Sequence, residues 1–131
     1  FVNLNVTHGA AALVRAVYEG VAFNIRAAIE AFEIAGVPLT DIRLAEGGAR
    51  SSAWCQIIAD ALGRKVHVVA EGDASAAGAA ILARAAIAEA DLAACIARAV
   101  RIERTHSPEP AHRTATEQAW QRFRRYAGHA R

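Results

Sequence analysis

Helical and strand-like patterns alternate along the first hundred residues, and this restricts the fold more than any other feature of the chain. From Thr7 to Ala35 the apolar residues Leu13, Val14, Val17, Tyr18, Val21, Ala28, Ile29 and Phe32 recur at threes and fours, which lays a stripe down one side of a long helix. Thr7 is the expected N-cap, and Gly36 followed by Pro38 ends the helix. Gly20 sits mid-helix, where glycine costs about 1 kcal/mol relative to alanine, so a neighbouring backbone is expected close by. Asp41–Ala45 alternates as a strand does and ends at Glu46-Gly47-Gly48. A second helix follows, capped by Ser51 or Ser52, burying Trp54, Ile57, Ile58, Ala61 and Leu62 and closed by Gly63. Val66–Val69 reads as a second strand and Glu71-Gly72-Asp73 as a turn. A third helix runs from about Ser75 to Glu89, and a shorter one, capped by Asp91, reaches Ala99. Strands separated by helices pair in parallel, which gives an α/β sheet covered by helices. Two short strands do not make a stable sheet, so further strands are expected upstream of Phe1. A chain without methionine that starts on phenylalanine is likewise expected to be a piece of something longer.

Composition sharpens this. Of the 131 residues 34 are alanine, which buries little area and favours helices, so closely packed helices are expected, above all from Ser75 onward. A net charge of +2 is too small to imply a nucleic-acid or membrane partner. Residues 98–131 nevertheless hold 8 basic against 3 acidic side chains and form the one candidate electrostatic footprint. Thr105–Pro110 is polar, with two prolines, and reads as a loop; Ala111–Ala127 reads as a surface helix packed back through Trp120, Phe123 and Tyr126. The expected organisation is therefore a partial domain over 1–104, a loop over 105–110 and a C-terminal helix over 111–131. Cys55 and Cys95 have no metal-ligand spacing and suit a reducing cytoplasm.

The junction from Leu44 to Trp54 is the most informative segment. A strand runs into Gly47 and Gly48 and then into a helix start. Glycines admit positive φ and close ligand approach, while first-turn amides favour an anion. The functional reading is a nucleotide or phosphate cradle; the plainer one is a sharp turn that needs glycine. Spacing leaves both open, since neither GxGxxG nor GK[ST] occurs.

The segment Ile42–Ile57, written IRLAEGGARSSAWCQI, resembles the adenosine motif of the FGGY carbohydrate kinases. Three further stretches agree in order: Arg15–Phe23 is similar to the RAxxEGxAF helix, Ala59–Gly63 with Val66 to the AD-x-x-G-x-x-V segment, and Ala76–Ala83 to the GAAxLA helix. Trp120–Tyr126 resembles the FxxxY helix that ends xylulose-kinase-like members.

This resemblance implies an actin-like ATPase (ribonuclease H-like) domain, of which the chain would be the latter part, and an activity that moves the γ-phosphoryl of Mg-ATP to a sugar or polyol hydroxyl. It places the backbone of Gly47, Gly48 and Ala49 against the adenosine and α-phosphate side of ATP, and Arg50, Ser51 and Ser52 at the adenine pocket. Ser52 is shorter than the amide that glycerol-kinase-type members carry there. Glu46 replaces the first of three glycines usual in xylulose-kinase-like members, and its carboxylate is expected to point away from the phosphates. The aspartate base, both phosphate loops and the sugar pocket would lie upstream of Phe1, so no catalytic residue is assigned and the chain alone is expected to be inactive. The sugar and the oligomeric state, homo-oligomer included, stay open.

Other residues have plain readings. Arg15 and Glu19 form an i,i+4 pair; His8 is a surface residue at a helix entry; His67 points outward; Trp54 is a core anchor or an adenine platform. His106, His112 and His129 show no ligand-like spacing, and no metal site is assigned. Cys55 is not expected to be a nucleophile. The reading of a different class is a non-catalytic module whose arginine tail (Arg101, Arg104, Arg113, Arg122, Arg124 and Arg125) binds an acidic partner or nucleic acid.

Overall fold

The computed structural model describes residues 4–70, 74–88 and 90–128, apart from the side chain of Glu46. Its elements follow in the order α1 (Ala10–Ile34), β1 (Arg43–Leu44), α2 (Glu46–Ala49), α3 (Ser52–Leu62), β2 (Val66–Val69), α4 (Ala74–Ile87), α5 (Leu92–Ala99), β3 (Ile102–His106), a 3-10 turn (Pro110–His112) and α6 (Arg113–Ala127). The turn at Glu71–Asp73, the end of the third helix at Glu89 and His129 fall outside the described residues.

The sheet has the order β1-β2-β3. β1 and β2 pair in parallel, as helix-separated strands should, with Leu44 opposite Val68. β3 is antiparallel to β2, with Arg104 opposite Val68 and His106 opposite Val66. This strand departs from the expected loop: Thr105 and His106 are extended and paired, and irregular structure is confined to the residues just before Pro110. β3 is polar and lacks a clean alternation, so only its pairing with β2 reveals it. One face of the sheet, Val66 and Val68, is buried, and His67 on the other face meets Thr105 Oγ1 at 2.9 Å instead of standing free in solvent.

The core forms where α3 meets α1, α6 and β2. Ala22, Phe23, Ile57, Ile58, Ala59, Ala61, Val66 and Trp120 make one buried cluster. Two of the residues expected on the α3 core face, Trp54 and Leu62, are only partly buried, and Cys55 and Ala59 take the deepest places. Small residues at the crossing let α1 lie close to α3, while Trp120 brings aromatic area from α6, stacked with Phe123 at 5.7 Å and tilted against Phe23 at 5.6 Å. Arg26 ties the three helices: it contacts the Ala61 carbonyl at 3.2 Å and Glu117 at 2.9 Å, and lies 4.6 Å over the Trp120 ring.

Several local expectations change. α1 starts at Ala10 with Gly9 as its cap, because Thr7 turns its hydroxyl to Asn5 Oδ1 at 2.6 Å. Its buried face centres on Ala22 and Phe23, while Val14, Val17, Tyr18, Val21 and Phe32 are about half exposed. Among the described residues no backbone passes Gly20: a Cβ there would meet nothing within 4 Å, beside a groove of about 720 Å³ between α1 and α6. α4 is also looser than its alanines suggest: among its residues only Ala85 is buried, and its packing is against α5. A helix this rich in alanine forms readily but offers little area for burial. The helix stops are as expected, with Gly36 at φ +82 and Gly63 at φ +63, and Asp91 caps α5 through the amides of Ala93 and Ala94.

The C-terminal segment is latched onto α3 through Asp60, whose side chain is only 4% exposed. Its carboxylate accepts from Glu109 N–H (2.8 Å), His112 Nδ1 (2.8 Å) and Gln56 Nε2 (2.9 Å). Burial pushes this carboxyl up, but the hydrogen bonds from Glu109, His112 and Gln56 outweigh it and hold the group below its ordinary value of 3.8. The contribution is therefore complete above that value and is lost as pH falls through the lower folded one. In acid titrations of unfolding, Asp60→Asn should flatten the loss of stability below about pH 4 and lower stability at neutral pH. Trp120→Ala should cost about 3–5 kcal/mol in urea unfolding.

Candidate functional site

β1 delivers the chain to the Gly-Gly segment at its carboxyl end. Gly47 and Gly48 lie within the single helical turn α2, with Ala45 extended before it. Positive φ is not what these glycines supply, since among the described glycines only Gly36 and Gly63 adopt it. Their use is space. Among the described residues, a Cβ at Gly47 would meet nothing within 4 Å, and one at Gly48 would meet the Trp54 indole at 3.4 Å. Both glycines are exposed, so ligand atoms can reach the backbone from outside.

After α2 the chain enters α3 almost at once. Ser51 is its cap and accepts from Trp54 N–H at 3.2 Å. Helix geometry leaves the amides of Ser52 and Ala53 without intrahelical acceptors, at the positive end of the dipole. Arg50, Ser51 and Ser52 are exposed, and Ala49 is buried. The structure thus brings the six expected ligand-contacting residues, Gly47 to Ser52, into one continuous surface whose buried foot is Ala49. Trp54 sits behind it, 5.3 Å from the Tyr18 ring and against Gly48, as a partly buried wall. The Glu46 side chain, expected to point away, lies outside the described part of the structure.

Beneath the turn is a residue that the sequence placed only in the arginine tail. Leu44, Val68 and Arg104 form one cross-sheet row, and Arg104 reaches along it to donate to the Ala49 carbonyl at 3.1 Å. Cys55 Sγ contacts the same oxygen at 3.4 Å. Arg104 Nε is buried with no hydrogen-bond partner among the described residues, 3.7 Å from Glu103 Oε1. In the sequence Arg104 is one arginine of a basic tail; only the register of β3 aims it inward. Arg124, 5.8 Å over the Trp120 ring, is also engaged within the molecule.

Burial pushes the Cys55 thiol up, and the opposing pull of Arg104 does not restore it. His8 is at the surface, where its Nδ1 accepts from Asn5 N–H, and Arg15 pairs with Glu19 at 2.7 Å. No group of three His, Cys, Asp or Glu among the described residues is placed to hold a metal ion. A groove of about 830 Å³ opens beside the site, lined by Ala45, Val69 and Ala70 at the ends of β1 and β2 and by Ala77, Gly78 and Ile81 of α4. Ligands of open α/β sheets bind at such carboxyl ends. No described helix is long and apolar enough to cross a membrane.

Thiol titration checks the placement of the two cysteines: Cys95, partly exposed, should react with a disulfide reagent in the native state, and Cys55, fully buried, only after denaturant is added.

The family model described as "FGGY family of carbohydrate kinases, C-terminal domain" matches residues 1–87. The chain is 33% identical over 127 residues to the xylulose kinase of Escherichia coli, which covers 95% of this chain and 26% of that protein. It is also 33% identical over 131 residues to the autoinducer-2 kinase of Salmonella typhimurium, covering 94% of this chain and 24% of that one. The crystal structure of xylulose kinase from Rhodospirillum rubrum superposes with a TM-score of 0.86 at 26% identity, over 98% of this chain and 26% of that one. The chain therefore spans about a quarter of the length of these relatives.

Proposed function

The chain belongs to the FGGY family of carbohydrate kinases, and on that premise we propose that it supplies the adenosine-binding portion of an ATP-dependent sugar or polyol kinase of the xylulose-kinase kind. The observation that carries this is the open backbone at Gly47 and Gly48, at the carboxyl end of β1 and leading directly into the capped start of α3. Gly47, Gly48 and Ala49 would meet the adenosine and α-phosphate side of ATP, and Arg50, Ser51 and Ser52 would line the adenine pocket, with the groove at Ala45 and Gly78 leaving room beside it.

Phosphoryl transfer depends on positioning and charge stabilisation. The work of this chain's residues is to hold the nucleotide so that its γ-phosphate faces the acceptor hydroxyl. The first amides of α3 favour an anionic ligand. Mg2+ would enter with the ATP phosphates, to which it lends its usual charge neutralisation. The sugar, the base that accepts its proton and the phosphate loops belong to the proposal as parts supplied outside these 131 residues, so ATP turnover by these residues alone is not expected. A xylulose kinase and an autoinducer-2 kinase align with nearly the whole chain at the same identity, which fits a nucleotide-side portion that does not select the acceptor. The proposed setting is the cytoplasm, with both thiols free and neither nucleic acid nor membrane as partner.

Gly47→Val separates the site from the fold. The open space at this position leaves the thermal midpoint nearly unchanged, while the branched side chain occupies the path of the ligand. Titration with a fluorescent ATP analogue should show affinity at least about tenfold weaker than wild type, a loss of about 1.4 kcal/mol or more. Equal affinity in the two proteins would remove the reading.

A further inference from the structure

The Ala49–Arg50 peptide is the hinge between α2 and the start of α3, and both of its ends are pinned. Its N–H donates to the Gly47 carbonyl at 3.3 Å. Its carbonyl accepts from Arg104 at 3.1 Å and faces Cys55 Sγ at 3.4 Å. A trans peptide is planar, so fixing C=O and N–H together fixes the plane and the direction in which the chain leaves it. Of the two donors at the carbonyl, the thiol is weak and the guanidinium is charged and strong. Ala49 is buried, so water cannot replace a lost donor freely.

We infer that Arg104 is a positioning residue for the Gly47–Ser52 surface: arriving from β3, 55 residues downstream, it holds the Ala49 carbonyl and so sets the orientation of the amides beyond it. The role of that surface in binding nucleotide rests on the reading given under Proposed function; the role of Arg104 in holding it rests on the geometry of the chain itself. The guanidinium is not placed on the ligand. It acts through the peptide plane, by the hydrogen bond it donates to the Ala49 carbonyl. Two further features suit the task. The row Leu44–Val68–Arg104 gives the side chain a fixed track across the sheet, and β3 is itself anchored where His106 Nδ1 meets Gln56 Oε1 at 3.3 Å.

Arg104→Met keeps the length of the side chain and removes its donors, while Arg104→Lys keeps one charged donor. In the full chain, amide hydrogen exchange at Arg50 and Ser51 should be about tenfold faster in R104M, the change expected for one lost charge-assisted hydrogen bond. Exchange in the middle of α1 and α6 should be unchanged, and R104K should lie nearer wild type. Affinity for a fluorescent ATP analogue should fall about tenfold in R104M and recover in R104K. Unchanged exchange at Arg50 and Ser51 in R104M overturns the inference. So does faster exchange there together with wild-type nucleotide affinity. If wild type itself binds no nucleotide, the proposed function fails, and the exchange data still decide whether Arg104 holds the turn. Should R104M not fold, Arg104→Gln takes its place, with the same exchange readout and the same deciding outcomes.

Discussion

The close approach of α1 to α3 is the constraint on which the rest of this structure depends. Ala22, Ala59 and Ala61 are almost completely buried at the crossing, and larger residues there would push the two helices apart. With the helices in contact, Phe23 and Ile58 can share one cluster with Trp120 from the far end of the chain. Arg26 then finds the Ala61 carbonyl, Glu117 and the Trp120 face within reach of a single guanidinium. Dense packing makes such a junction unforgiving, because volume added at a close crossing has to be absorbed by backbone shifts.

α3 carries that packing to both ends of the site. Its N-terminal turn closes on Ser51 and presents the amides beside Gly47 and Gly48. Cys55, near its start, meets the Ala49 carbonyl, and Asp60, in its last turn, faces the C-terminal segment. Asp60 fixes the chain at Glu109 and His112, β3 is thereby held against β2, and β3 aims Arg104 at the turn. Distant parts of the sequence are thus coupled to the glycines through short links, each a hydrogen bond or a strand register. The C-terminal segment is structural support for the site rather than a loose basic tail.

Much of this architecture is legible in the sequence, for reasons that differ by element. The α3 boundaries follow from Ser51 and Gly63, whose side-chain oxygen and left-handed backbone act locally. β2 follows from a run of valines, and α5 from the Asp91 cap. The strand-to-helix turn is legible because a strand, two glycines and a cap are contiguous, while the set Gly47 to Ser52 comes from the family resemblance of that segment. The conformation of the turn is not legible: the glycines adopt a helical turn rather than positive φ, since α3 comes directly after them and can be entered without a reversal. β3 and the inward course of Arg104 are hidden, because neither has a pattern apart from its partner strand. The buried face of α1 departs from its apolar stripe for a related reason. Its valines and Phe32 are apolar like Phe23, and nothing local tells which side meets α3.

The sequence alone determined where most helices start and stop, that the strands flanking α3 are parallel, that two glycines precede a helix N-terminus, and which family the motifs resemble. These depend on backbone conformational preference, capping and periodicity, each set within a few residues. Tertiary structure alone decided which face of α1 is buried, that 102–106 is a strand, that Asp60 latches the C-terminal segment, and that Arg104 stands under Ala49. These depend on contacts between residues tens of positions apart. Their energy appears only when the small residues of α1 and α3 let the chain close on itself.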